Sequence, residues 1–225
     1  MILVVSGTGT GVGKTIVTAA LAALAVSEGR RVAVVKPAQT GIDGSDEPPD
    51  LEVVERLSGV TDLHELARFP DPLSPEAAAR HSGLPPLDMG FAAAYIRELG
   101  LARDLVLVEG AGGLLVRYDP AGSTIRMLAA ALDAPVLVVT AAGLGTLNHT
   151  ALTLEALASR GLACAGVVIG SWPATPGLAE LSNLDDLGPV LTGRLPEGAG
   201  ALTRADFLAT VKAARAGYWL VASAL

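Results

Sequence analysis

The sequence has 225 residues, 51% of them hydrophobic and 17% charged, with a formal net charge of −7 at pH 7. This length suits one α/β domain or two small ones, and because no Ser- or Gly-rich linker divides the chain we expect residues 1–225 to form a single domain. The acidic balance leaves no basic patch for nucleic acid or anionic lipid, so neither is expected as a partner.

Targeting and membrane signals are weak along the chain. The single cysteine, Cys164, excludes an internal disulfide, suits a reducing cytoplasm and, lying in an apolar run, is expected to pack rather than to react. No basic segment precedes the first apolar run, so we expect no signal peptide. Residues 134–154 lack charged residues over a membrane-spanning length, but Pro135, Gly143 and Gly145 interrupt them. We therefore predict a cytoplasmic protein without a transmembrane segment.

The N-terminal stretch SGTGTGVGKT at positions 6–15 follows four apolar residues and precedes a run of helix formers. A strand, a glycine loop and a helix are the setting of a phosphate-binding loop, whose backbone amides converge on an anion. In such a loop Lys14 reaches the outer phosphates and the Thr15 hydroxyl ligates magnesium. The usual pattern has glycine at position 8, which is Thr8 here. Either the loop is one residue longer and begins at Gly7, or Gly9 takes that role.

A second strand is predicted at positions 32–35, and it ends in Lys36. A lysine at the carboxyl end of a buried strand faces the crevice in which open α/β sheets bind ligands. A polar loop with several carboxylates follows, and its last residue, Asp50, directly precedes a helical run at 51–57. Asp50 is therefore expected to cap this helix, with a role as metal ligand as the alternative.

Positions 61–100 are predicted to be helical and irregular, with helices at 75–81 and 88–99. His64 and His81 lie here without a partner motif, so neither is assigned to catalysis. A third strand at 105–108 ends in Glu109 and is followed by glycines. An acid after an apolar strand is the Walker B arrangement, which faces the magnesium ion of a bound nucleotide, although Asp is more usual there.

The rest of the chain continues the alternation of strands and helices. We predict strands at 135–140, at 163–169 and from Val190 onward, and helices at 124–132, 150–159 and 204–214. Thr146 or Asn148 is expected to cap the helix at 150–159. The pattern indicates a P-loop NTPase-like α/β fold, a mostly parallel sheet of six or seven strands flanked by helices on both faces.

Four blocks in order, GTGTGVGKT, VVKPAQTG, VEGAGG and GLGTLNHT, closely resemble the dethiobiotin synthetase family of biotin biosynthesis. That family has the longer loop as GTxTxVGKT. The resemblance implies ATP-dependent ring closure of diaminopelargonate with carbon dioxide, through a carbamate and a carbamic-phosphoric anhydride. It also implies Mg²⁺ as cofactor and a homodimer in which the substrate tail contacts the partner subunit.

The resemblance assigns roles to particular residues. It implies Lys36, Lys14 and Thr10 as catalytic residues, and Thr15, Asp50 and Glu109 as magnesium ligands, with Asp46 as the alternative to Asp50. The nucleotide would contact Gly11, Val12, Gly13, Lys14, Thr15, Ile16, Asp50, Glu109, Gly110, Ala111, Gly112, Gly170, Ser171, Pro196, Glu197 and Gly198. The substrate would contact Thr40, Gly112, Gly113, Leu144, Gly145, Thr146, Leu147 and Asn148.

Two positions depart from the family pattern. Many members carry Glu where this loop has Gly11, and many carry Asn-Asp, whose amide reads adenine, where this chain has Gly170-Ser171. The base would then be held mainly by backbone groups. We therefore predict relaxed nucleotide choice, with ATP not strongly preferred over other triphosphates.

Three alternatives share parts of this pattern. Switch ATPases of the partitioning and division-site type carry an extra lysine early in the loop, where this chain has Gly7, Thr8 and Gly9. The nucleotide-binding part of a cobyric-acid-type amidotransferase would be expected to come with a glutaminase domain. A non-catalytic nucleotide-binding partner would release phosphate without regard to diaminopelargonate.

Overall fold

The structure, a computed structural model, describes residues 1–42 and 48–218. The elements in chain order are β1 (Ile2–Gly7), α1 (Lys14–Ser27), β2 (Val32–Lys36), α2 (Asp50–Ser58), β3 (Leu63–Glu65), α3 (Pro75–Ser82), α4 (Met89–Ala102), β4 (Leu105–Gly113), α5 (Ile125–Leu132), β5 (Val136–Thr140), α6 (Thr146–Ala158), β6 (Cys164–Trp172), α7 (Leu178–Leu187), β7 (Leu191–Pro196) and α8 (Arg204–Tyr218).

Within the described residues, seven parallel strands form one sheet in the order β3-β2-β4-β1-β5-β6-β7. Its strands are apolar on both faces, because successive side chains enter different cores. Leu3 and Val5 pack with α1, α2 and α8, whereas Val4 packs on the opposite face with α4 and α5. The predicted fold class is confirmed.

Three neighbouring strands, β2, β4 and β1, bring the predicted chemical groups to one edge of the sheet. Val35 pairs with Val108, and Val5 pairs with Glu109. Since Lys36 follows Val35 and all three strands run in the same direction, Lys36 and Glu109 lie side by side at the carboxyl edge, next to the loop after β1.

The sequence prediction missed two elements and misplaced a third. Strand β3 is a three-residue edge strand with the polar sequence LHE, which forms because Leu63 pairs with Val34 of β2, a tertiary contact that local periodicity does not encode. Helix α7 was also not predicted. Helix α6 starts at Thr146 rather than position 150, because Gly145 in the left-handed region (φ 94°) provides its N-cap. The predicted capping by Thr146 or Asn148 is therefore wrong.

Cys164 and the apolar segment at 134–154 have different outcomes. Cys164 is exposed at the start of β6, so the expectation that it packs in the core is wrong. The segment at 134–154 divides into β5, a loop and most of α6, as predicted. None of the helices within 1–42 and 48–218 combines the length and hydrophobicity that a membrane crossing requires.

Candidate active site

The phosphate-binding loop requires glycine at position 7. A Cβ atom added to Gly7 would lie 2.8 Å from Cγ2 of Val12 and 3.0 Å from the carbonyl oxygen of Gly9. A Cβ atom added to Gly9 would meet no described atom within 4 Å. Since the close packing falls on Gly7, the structure favours the longer loop of the two alternatives that the sequence left open.

Lys14 is the first residue of α1, and its side chain folds back over the loop. Its Nζ donates a hydrogen bond of 2.9 Å to the carbonyl oxygen of Gly9, and the residue is only 8% exposed. Burial lowers the pKa of Lys14 and the positive charge of Lys36 lowers it further, against the opposing effect of Glu109 and Asp50. Lys14 thus presents a poorly solvated ammonium group, which interacts more strongly with an anion than a solvated one would.

Lys36, the last residue of β2, lies among oxygen atoms. Its Nζ donates to Oε1 of Glu109 at 2.9 Å and to the carbonyl oxygen of Gly110 at 3.3 Å, and it forms an ion pair with Asp50. The Thr15 hydroxyl lies 2.8 Å from Oδ1 of Asp50 and 2.9 Å from Oε1 of Glu109. One ammonium, one hydroxyl and two carboxyl groups therefore meet at the carboxyl edge of the sheet.

Burial and pairing decide the charges in this cluster. Burial lowers the pKa of Lys36, but Glu109 and Asp50 together outweigh it and raise this pKa above its usual value. Burial raises the pKa of Glu109, which Lys36 offsets only in part. Burial also raises the pKa of Asp50, but Lys36 and Thr15 outweigh it and hold this pKa below its usual value. Lys36 is therefore a buried ammonium at neutral pH.

The oxygen atoms around Thr15 fit a magnesium ion. Hydroxyl and carboxylate oxygens are the ligands that this hard cation prefers, and Thr15, Asp50 and Glu109 supply them. Oε2 of Glu109 is buried and has no hydrogen-bond partner among the described residues. The single proton of the Thr15 hydroxyl can satisfy only one of its two carboxyl neighbours. The cluster therefore has more acceptor atoms than donors, which a divalent cation would balance.

A cavity of about 850 Å³ opens over this cluster. Lys14 and Lys36 both line it, so the two lysines nominated from the sequence belong to one cavity. Of the residues nominated from the sequence, the cavity is lined by Thr10, Gly11, Gly13, Lys14, Thr15, Ile16, Lys36, Thr40, Asp50, Glu109, Ala111 and Gly112.

Comparison with known proteins identifies the family. A family profile described as an AAA domain matches residues 2–201. The ATP-dependent dethiobiotin synthetase BioD of Frankia casuarinae is 62% identical over 215 residues, which cover 94% of this chain and 90% of that protein. The chain belongs to the dethiobiotin synthetase family. A second member, from Rhodococcus jostii, is 58% identical over 223 residues, which cover 97% of this chain and 96% of that protein.

Solved structures show how widely the fold of this dethiobiotin synthetase family member is shared. The septum site-determining protein MinD of Pyrococcus horikoshii, solved with Mg-ADP, has a TM-score of 0.58 at 19% identity, covering 93% of this chain and 91% of that one. Apo McdA of Cyanthece has a TM-score of 0.52 at 15% identity, covering 96% and 97%. At such identities the likeness shows the fold alone. The family assignment rests on the dethiobiotin synthetases.

Asp50 has a different local role from the predicted one. It is the first residue of α2, and Pro49 stands at the N-cap position. The Asp50 side chain faces Thr15 and Lys36, and its backbone amide donates at 3.2 Å to Oε1 of Gln39. Sequence reasoning missed Gln39, although its place between Lys36 and Thr40 in the KPAQT block marked it. Asp46, the predicted alternative to Asp50, lies outside the described residues.

The remaining nominated residues lie outside the lining of the cavity as far as the structure describes it. Gly170 packs directly under the loop, since a Cβ atom there would lie 2.0 Å from the carbonyl oxygen of Val12. Gly110 accepts the hydrogen bond from Lys36, and Gly113 ends β4. The other residues belong to the part of the sheet formed by β5, β6 and β7. Ser171 lies within β6, Pro196, Glu197 and Gly198 lie at the end of β7, and the segment after β5 at the start of α6 contains Leu144, Gly145, Thr146, Leu147 and Asn148.

Tyr118 is a buried residue that the sequence analysis did not single out. Its hydroxyl accepts a hydrogen bond of 2.6 Å from the backbone amide of Ala111, and the side chain is fully buried. Burial raises the pKa of this hydroxyl. Tyr118 therefore fixes the peptide between Gly110 and Ala111 beside the cavity. The one sequence signal was that Tyr118 is the first aromatic residue after the glycines that follow Glu109.

Proposed function

We propose that this protein catalyses the ATP-dependent carboxylation and ring closure of 7,8-diaminopelargonate with carbon dioxide, giving dethiobiotin, ADP and phosphate. The observation that carries the proposal is that Lys14 and Lys36 line one cavity beside Thr15, Asp50 and Glu109. The name and high identity of the dethiobiotin synthetases support the same activity.

The reaction requires two negative groups to meet. One substrate amine takes up carbon dioxide and loses a proton to give a carbamate, and a carbamate oxygen then attacks the γ-phosphorus of ATP, so that ADP leaves. The second amine attacks the carbonyl carbon of the resulting mixed anhydride, and phosphate leaves as the ring closes. Because carbamate and triphosphate repel each other, fixed positive charge between them lowers the barrier.

Lys14 and Lys36 supply this charge. Lys14 lies over the phosphate-binding loop and would contact the outer phosphates. Lys36, which lines the same cavity, would contact the carbamate and the transferred phosphoryl group. Thr10 is exposed, lines the cavity close to Gly112 and would complete the catalytic set.

Thr15, Asp50 and Glu109 would hold magnesium. The bound ion would neutralise charge on the phosphates as it develops during transfer. Loop amides from Gly11 to Ile16 would hold the phosphates, while Thr40, Gly112 and Gly113 would hold the reacting end of diaminopelargonate. Backbone groups at Gly170, Ser171, Pro196, Glu197 and Gly198 would hold the base, which permits nucleoside triphosphates other than ATP.

We further propose that residues 1–225 act as one domain, in the cytoplasm, and as a homodimer. The segment from Leu144 to Asn148 would contact the carboxylate tail of the substrate bound by the partner subunit, where the first amides of α6 favour an anion. The Leu144 side chain is 93% exposed, which suits a contact surface. Light scattering during size-exclusion chromatography tests the dimer, since a monomeric mass at assay concentration would contradict it.

Phosphate release measured with and without diaminopelargonate plus bicarbonate tests the function. We expect release to depend on both additions and to match dethiobiotin formation one to one. Release that ignores diaminopelargonate would instead support a switch ATPase or a non-catalytic nucleotide-binding partner. Replacing bicarbonate by ammonia or glutamine separates the amidotransferase alternative, which would use nitrogen rather than carbon dioxide.

A further inference from the structure

A cluster of four threonine hydroxyls lies at the ends of β1 and β5. Oγ1 of Thr140 is 2.6 Å from Oγ1 of Thr146, 2.9 Å from that of Thr150 and 3.3 Å from that of Thr8. Thr140, Thr146 and Thr150 are buried, and Thr8 is half-buried. We call these four residues the hydroxyl cluster.

The direction of every hydrogen bond in the hydroxyl cluster follows from proton counting. Thr146 donates its only hydroxyl proton to the carbonyl oxygen of Ala141 at 2.6 Å. In its contact with Thr140 it must therefore accept, so Thr140 donates its own proton to Thr146. The contacts of Thr140 with Thr150 and Thr8 must then be donated by those two residues. Thr140 thus donates once and accepts twice, which uses the full capacity of a hydroxyl group.

The hydroxyl cluster joins three segments that serve different parts of the site. Thr8 belongs to the phosphate-binding loop, Thr140 ends β5, and Thr146 and Thr150 lie in the first turns of α6. The backbone amide of Thr8 also donates to the carbonyl oxygen of Val139 at 2.9 Å. The next residue, Gly9, offers the carbonyl oxygen that holds Lys14. A shift of Thr8 would therefore move the acceptor of the Lys14 ammonium.

The loop between β5 and α6 is held from a second side. The side-chain amide of Asn183 in α7 is buried and donates to the carbonyl oxygens of Ala142 at 2.8 Å and Gly143 at 3.0 Å. Together with the Thr146 bond to Ala141, three consecutive carbonyl groups of this loop are bound by interior donors. The phosphate-binding loop is tied to β5, which this loop follows, by two hydrogen bonds: one from the Thr8 amide to Val139 and one between the hydroxyls of Thr8 and Thr140.

We propose that Thr140 is a positioning residue that holds the phosphate-binding loop and the start of α6 in register, and thereby places Lys14 for phosphoryl transfer. The inference rests on the proposed function for its kinetic consequences. Removing this hydroxyl would leave two donors and one acceptor unpaired in a buried place, and the segments would relax apart to satisfy them.

The test compares Thr140→Val with Thr140→Ser. Valine keeps the shape of threonine without the hydroxyl, whereas serine keeps the hydroxyl. We expect Thr140→Val to lower kcat for dethiobiotin formation by about 10-fold and to raise the KM for ATP and the KM for diaminopelargonate by about 3-fold each, because Lys14 and the start of α6 both shift. Thr140→Ser is expected to keep all three values within about 2-fold of the starting protein.

Thr192→Val is the matched control, because Thr192 is also buried and donates its hydroxyl to a backbone carbonyl, that of Val167, away from the cavity. It is expected to lower the Tm without changing kcat or either KM. If Thr140→Val behaves like this control, or if Thr140→Ser fails to restore kcat, the positioning role is wrong.

Hydrogen exchange separates failure of this inference from failure of the proposed function. In the starting protein the amide of Thr8 donates to the carbonyl oxygen of Val139, and the amide of His149 donates to that of Gly145. We expect both amides to exchange faster in Thr140→Val. If the starting protein forms no dethiobiotin, the proposed function is wrong, and the exchange result alone judges the hydroxyl cluster. Unchanged exchange at both amides would overturn the positioning role of Thr140.

Discussion

The two halves of the carboxyl edge are built in different ways. At the ends of β1, β2 and β4, buried charged side chains meet, with Lys36 and Glu109 almost fully enclosed. At the ends of β6 and β7, Gly170 has no side chain and residues 196–198 are exposed. Fixed charge in a dry place suits bond making, since it stabilises a transition state without reorganisation. A backbone-lined surface holds a base without choosing strongly among bases. We therefore expect large effects from substitutions in the first half and small ones in the second.

The largest effect is expected from Lys36→Ala. Turnover should fall by about 100-fold or more, because the variant loses a charge directed at the reacting anions, while nucleotide binding stays nearly intact. Steady-state kinetics and nucleotide titration measure the two quantities. Lys212→Ala is the matched control, since Lys212 is exposed on α8. Near-normal turnover in Lys36→Ala would remove Lys36 from the mechanism.

The thermal stability of Lys36→Ala gives a second test of the charged half of the edge. Without Lys36, Glu109 and Asp50 lose their shared cation, which for a buried pair costs about 3–5 kcal/mol. Thermal unfolding should therefore show a lower Tm for Lys36→Ala in EDTA. Magnesium should raise the Tm of this variant by more than it raises that of the starting protein, because the ion neutralises the same carboxylates. An equal rise in both proteins would contradict placement of the ion between Asp50 and Glu109.

Lys14→Ala should reduce both nucleotide affinity and turnover, in contrast to Lys36→Ala. Lys14 lies over the phosphate-binding loop and is expected to contact phosphate oxygens before and during transfer, so roughly 10-fold weaker binding should accompany a roughly 100-fold lower kcat. Calorimetric titration with an ATP analogue measures the binding. A variant that binds normally but turns over slowly would give Lys14 the role assigned here to Lys36.

Gly170→Ala tests the contact between the two halves. The added Cβ atom would lie 2.0 Å from the carbonyl oxygen of Val12, so the loop or β6 must shift. Overpacking of this kind costs about 1–3 kcal/mol, and we expect a similar loss in the free energy of unfolding together with about 10-fold weaker nucleotide binding. Gly9→Ala is the control, because it meets no described atom. If both variants behave alike, the close packing at Gly170 is unimportant.

The smallest effect on turnover is expected from changing the base of the nucleoside triphosphate. Turnover with ATP, CTP and GTP under equal conditions should differ by well under 100-fold, since no side-chain amide is placed to read the adenine edge at Gly170-Ser171. Ser171→Ala should change each rate by less than about 2-fold. A preference for ATP of about 100-fold or more, on the order of 3 kcal/mol, would mean that other groups select the base.

Sequence patterns predicted the parts of the fold that local periodicity encodes. The runs that became β1, β2 and β4 are apolar, so their place in a parallel sheet, with Lys36 and Glu109 at its carboxyl end, was predicted. The direct contact between Lys36 and Glu109 was not, because the order of the strands is known only from the structure. Strand β3 was missed because its polar residues form a strand only through pairing with β2. The start of α6 was misplaced because a left-handed Gly145, rather than a polar cap, begins it. The hydroxyl cluster was out of reach, since Thr8 and Thr140 are 132 residues apart and meet only in the folded chain.

The most direct test of the central claim is a crystal structure with magnesium, a non-hydrolysable ATP analogue and diaminopelargonate in bicarbonate. We expect Nζ of Lys14 and Nζ of Lys36 each to lie about 3 Å from an oxygen of the γ-phosphate or the carbamate, with both anions in the one cavity. Ammonium groups that point into separate clefts, with the anions reached by only one of them, would contradict the account.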